Sequence, residues 1–140
     1  MALTKIPRPA SAPMGPCMET AALVAHTHAM ITSIHQLHLK ITGPGSYAAH
    51  KALNEFYDEM PDLVDAVAEQ YQGAREKLLD YPTAPVYKCG SVQEALSHLK
   101  DLYNEIVELQ GMMPFSEIVN QLDEMKSLIS STKYKLMFLS

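Results

Sequence analysis

Four side chains raise the question of chemistry: His38, His50, Asp65 and Glu69. Neutral imidazole and carboxylate together suit iron, zinc or manganese. The two histidines flank the turn in "LHLKITGPGSYAAH", so one closes an apolar segment and the other opens the next. Beyond the turn, His50 and Asn54 are four residues apart, as are Asp65 and Glu69. Residues 54 and 65 are eleven apart, about three helical turns, so all four lie on a similar side of one helix. Yet the fifteen residues from His50 to Asp65 rise roughly 22 Å along a helix, too far for one ion. A second copy of that helix, antiparallel across a two-fold axis, would bring His38 and His50 of one chain opposite Asp65 and Glu69 of the other, twice over.

Other chemistries find no footing. A di-iron centre within one bundle uses Glu-x-x-His on two helices, and no Glu here has His three residues later: Glu69 is followed by Gln72, and Glu94 by Ser97. His-Glu-x-x-His is absent, as is any Gly-rich phosphate loop. Cys17 and Cys89 are too few for a disulfide framework or a zinc cluster, and a reduced cytoplasmic setting is the default. A net charge of -5 argues against nucleic acid as a partner held by the chain's own field.

The elements that must position these residues read as an all-α, four-helix bundle. Hydrophobic residues make up 47% of the chain but aromatics only 7%, with nine Met and no Trp, which favours helices over a sheet. The first helix is expected over residues 18–41, with Leu23, Met30, Ile34, Leu37 and Ile41 on one stripe. "TGPG" ends it, and the second helix is expected over residues 46–79, kinked or broken at Pro61. Ser91-x-x-Glu94 is a capping box that opens the third, with Val92, Leu96, Leu99, Tyr103, Ile106 and Leu109 on one side. The fourth starts after Pro114 and presents Ile118, Leu122, Met125, Ile129 and Leu136. Between the second and third, residues 80–90 carry two prolines and read as extended, reaching roughly 36 Å. A helix of about 20 residues is roughly 30 Å long, so this connector can cross the bundle in the ferritin-like manner.

Residues 1–16 carry four prolines and read as a flexible arm, with the bundle over residues 17–140. Residues 20–39 contain no Asp, Glu, Lys or Arg, but four His, four Thr or Ser and a Gln make a membrane span costly. So little charge suggests burial on more than one face of the first helix, against its own bundle and a second subunit. His28 and His35, seven apart on that helix, are expected as interface or core residues, and His98 as a surface pair with Glu94. Asp58, Glu59 and Asp62 read equally as an acidic path for cations or as an exposed face.

The stretch from Leu37 to Gln70 resembles the Dps family of ferritin-like, iron-oxidising proteins. The family's pattern is roughly His-Trp-x-x-x-Gly, an aromatic one turn before a second His, then Asp-x-x-Ala-Glu. His38, Gly43, His50, Asp65, Ala68 and Glu69 stand in register with it, while Leu39 replaces the Trp and Asn54 an acidic residue. The resemblance implies metal ligands at His38, His50, Asp65 and Glu69, contributed by two subunits; Asn54 and His35 are the candidates for supporting neighbours beside them. It implies a homodimer or larger assembly that binds iron and oxidises Fe(II). The rival expectation is a non-enzymatic ferritin-like dimer with a structural or partner-binding role, its metal chemistry weakened or lost.

Overall fold

The computed structural model describes residues 15–139. Four helices follow in order: α1 (Pro16–Lys40), α2 (Ser46–Arg75), α3 (Val92–Met112) and α4 (Ser116–Phe138), with no strand among the described residues. Most of the expected arm lies outside the described residues, and Pro16 already opens α1, where its missing N–H costs nothing. No helix among the described residues is long and apolar enough to cross a membrane.

α1 stops at Ile41, whose backbone is extended. The chain then reverses through Gly43 and Gly45, both at positive φ (97° and 77°), where a side chain would be strained. The Ser46 N–H donates to the Gly43 carbonyl at 3.1 Å and closes the turn. α2 runs without interruption past Pro61. The expected break does not occur, because Met60 and Val64 on either side are wholly buried and their packing outweighs the lost backbone bond. The helix instead ends four residues before the expected Leu79. Glu76 adopts the left-handed conformation (φ 54°), its N–H returns to the Gln72 and Gly73 carbonyls, and Lys77 N–H also reaches the Gln72 carbonyl. The Gln72 side-chain oxygen then accepts from Leu79 N–H and Tyr81 O–H, tying the departing chain back. Half of the expected capping box of α3 forms, Ser91 Oγ accepting from Glu94 N–H at 3.2 Å, while the Glu94 carboxylate reaches the Gly90 N–H, one residue before the cap.

α1 packs against α2 and α3, and α4 against the same two. Leu23, Met30 and Ile34 of α1, Leu53, Phe56 and Val64 of α2, Leu99, Leu102 and Ile106 of α3, and Leu122, Met125 and Ile129 of α4 are fully buried between them. On α3 the buried stripe is rotated from the expected one. Val92, Leu96 and Tyr103 are only partly buried, whereas Ala95, His98 and Glu105 face inward.

Residues 76–91 carry no helix and bury Leu79, Tyr87 and Cys89. Tyr81, Pro82, Ala84 and Val86 share a shallow cavity with Ala25, His28, Ala29 and Thr32 of α1. Further on, Tyr87 N–H donates to Ser33 Oγ at 2.9 Å. Every residue of α1 from 19 to 27 is buried, and the connector lies against the helix between Ala25 and Ser33. Part of the second face of α1, expected to meet another subunit, is thus covered by the chain's own connector.

Candidate metal centre

His38 lies in the last turn of α1 and His50 in the second turn of α2, so the Gly-rich reversal sets them side by side. Their rings stack with centroids 3.7 Å apart and planes 20° from parallel. Each reaches the other's backbone. His38 Nδ1–H donates to the His50 carbonyl at 2.9 Å, and His50 Nδ1–H donates to the His38 carbonyl at 3.0 Å. A carbonyl oxygen only accepts, so both Nδ1 atoms carry the proton and each neutral ring keeps its lone pair on Nε2. Ligating histidines are oriented in this way, by a carbonyl on the ring nitrogen that does not bind the metal.

His38 Nε2 faces the Tyr57 hydroxyl at 3.1 Å, and that hydroxyl also lies 2.8 Å from Asn54 Oδ1. The Asn54 amide N–H donates to Asp58 at 2.7 Å, which keeps its oxygen turned toward Tyr57. The Tyr57 ring stacks on His35, centroids 3.9 Å apart and planes 12° from parallel. His35 in turn meets the His38 ring edge-on at 5.9 Å. His50 Nε2 has no hydrogen-bond partner among the described residues. Tyr57 is absent from the candidates drawn from the sequence. The available signal is its register: residues 50, 54, 57 and 58 step by four, three and one along α2.

Asp65 and Glu69 are exposed, farther along α2. Asp65 Oδ1 lies 3.8 Å from His28 Nε2, with both side chains more than half exposed, so the pair adds little. The two carboxylates and the two imidazoles stay apart within one chain, as the helical rise requires. Among the described residues no three His, Cys, Asp or Glu side chains converge in a way that could hold a metal ion. His28 and His35, expected at an interface or in the core, are both exposed in the single chain.

A second polar group lies in the interior. His26 Nδ1 contacts both oxygens of Glu105, at 2.6 and 2.9 Å, with both residues buried. Burial, then the Glu105 charge, pushes the Tyr87 hydroxyl far above the usual phenol range. His98 is fully buried rather than paired with Glu94 at the surface, and its Nε2–H donates to the Lys88 carbonyl at 2.9 Å. Glu94 instead accepts from Gly90 N–H. No local spacing announces the buried pair, since 79 residues separate His26 from Glu105.

Residues 38–136, more than two thirds of the chain, match a family described as a family of unknown function, DUF5856. This chain belongs to that family. No curated protein and no solved structure matches it. The DUF5856 match begins at His38 and takes in His50, Asp65 and Glu69 together with α2, α3 and nearly all of α4. The family's description carries no activity, so the functional reading rests on the geometry at the α1–α2 corner.

Proposed function

We propose that this DUF5856 member is a Dps-like, ferritin-like protein that binds iron in sites shared by two copies. His38 and His50 of one copy supply imidazole, and Asp65 and Glu69 of the other supply carboxylate. The observation that carries the reading is the reciprocal bracket, which fixes both rings in the tautomer whose Nε2 accepts a metal. The two carboxylates supply the negative charge that favours Fe(III), so oxidation of Fe(II) by peroxide or dioxygen is the reaction this donor set suits. The ligands would also accept zinc or manganese. Anaerobic Fe(II) titration with mass determination in solution tests the reading. It predicts a dimer or larger assembly, one iron per chain, and loss of that iron in His50→Ala. A monomer, or iron uptake unchanged by His50→Ala, would overturn it.

The proposal extends to the connectivity. A ferritin-like crossover makes α2 and α3 parallel, and three contacts support this. Gln110 of α3 bonds the Val119 carbonyl and Asp123 of α4, Lys135 of α4 pairs with Glu55 of α2, and residues 90–92 share a cavity with residues 40–46 and with Lys135. The start of α3 therefore lies with the start of α2 and the end of α4.

A second reading has its own observation. Tyr57 and His28 already engage His38 and Asp65 within the chain, and Asn54 bonds Asp58 rather than standing free. A dimer with a structural or partner-binding role, its metal chemistry weakened or lost, fits those contacts. It predicts a two-fold assembly with no iron bound.

A further inference from the structure

The geometry points to Tyr57 as a built-in competitor for the metal position on His38, an autoinhibitory contact that must open before an ion can bind. This inference rests on the shared-site reading above. His38 Nδ1 is committed to the His50 carbonyl, so Nε2 is its only free donor atom. The Tyr57 oxygen lies 3.1 Å from that atom. A metal ligated by imidazole sits about 2.1 Å from the nitrogen, so an ion on the line to the hydroxyl would be left roughly 1 Å from the Tyr57 oxygen, which is impossible. Phenol and ion therefore exclude one another while Tyr57 keeps this position.

The surroundings hold the phenol where it is. Its ring lies flat against His35, and its one hydroxyl proton has two acceptors in reach, His38 Nε2 and Asn54 Oδ1. Asn54 also offers the hydroxyl proton a second acceptor at 2.8 Å, so Tyr57 can release His38 without losing every hydrogen bond. Entry of a metal then costs the His38 contact and the stacking on His35. His50 Nε2 carries no such block, so the two imidazoles are unequal: His50 is open and His38 is gated.

The test titrates zinc(II), which removes redox chemistry from the readout, into wild type, Tyr57→Phe, Tyr57→Ala and His38→Ala. Removing one competing hydrogen bond predicts about a fivefold to tenfold tighter site in Tyr57→Phe. Tyr57→Ala should be at least as tight, and neither gain should survive when His38→Ala is added. In metal-free protein, the nitrogen NMR shift of His38 Nε2 should move in Tyr57→Phe while that of His50 stays in place. Tighter zinc in Tyr57→Phe, including binding that appears only in that variant, supports the gate. Equal or weaker zinc with wild type binding normally overturns the gate alone, weaker binding marking the phenol as a ligand. No zinc on any variant overturns the gate and the shared-site reading together.

Discussion

His98 reaches up from the core side of α3 and holds the connector by the Lys88 carbonyl, 2.9 Å from its Nε2. Tyr87, one residue earlier, is held from α1 through its backbone N–H on Ser33 Oγ. The connector is thus fastened to two helices at adjacent residues. His98→Ala removes one fastening and leaves a cavity, so stability should fall by about 2–4 kcal/mol. Hydrogen exchange should accelerate at Tyr87 and Cys89 before it does in the helices. Unchanged exchange there would mean that the connector is held by its apolar contacts alone.

The buried pair of His26 and Glu105 should behave as a unit. Removing one partner, as in Glu105→Leu or His26→Leu, leaves the other in the interior without it and should cost about 3–5 kcal/mol. The double replacement should cost clearly less than the two single losses together, because no polar partner then remains from this pair. Urea denaturation of the four proteins measures the coupling, and additive losses would count against a coupled pair.

Pro61 is a position where the chain tolerates a local cost. Its ring removes one bond from the middle of a thirty-residue helix that nonetheless continues. Pro61→Ala restores the bond and should raise stability by about 1–3 kcal/mol. A fall in the thermal midpoint would show that the proline shapes the path of α2 to the benefit of its packing.

Cys89 gives the chain an alkaline limit. Burial, then the nearby Glu94 charge, pushes its thiol pKa up to about 11, against a smaller opposing effect from Lys40. The thiol is protonated at neutral pH, so alkylation of folded protein should be slow. Between the ordinary thiol pKa near 9 and about 11, the folded state holds a proton that the unfolded chain has lost. Stability must therefore fall as pH rises through that window. Cys89→Ala should flatten that part of the stability curve, and an unchanged slope would assign the alkaline loss to other groups such as Tyr87.

The bundle was legible because its cues are local. Leu23, Met30, Ile34 and Leu37 repeat at helical spacing, Ser91 and Glu94 mark a start, and the Gly43–Gly45 turn marks a reversal. The two histidines were legible for the same reason, since the turn alone brings them together. What escaped depended on distant partners. Leu79 leaves the helix because Gln72 captures its N–H, and α3 turns His98 and Glu105 inward because the connector and His26 meet them there. Pro61 failed as a breaker because burial on either side outweighed it. Tyr57 was missed because its role comes from His35 and His38 on the neighbouring helix.

The strap along the middle of α1 also bears on where a neighbour can dock. Beyond the buried residues 19–27, the exposed side chains of that helix are His28, Thr32, His35, Gln36, Leu39 and Lys40, most of them toward the stacked imidazoles. A twin molecule that seeks this helix meets its exposed side chains toward the hairpin end, where His38 and His50 stack.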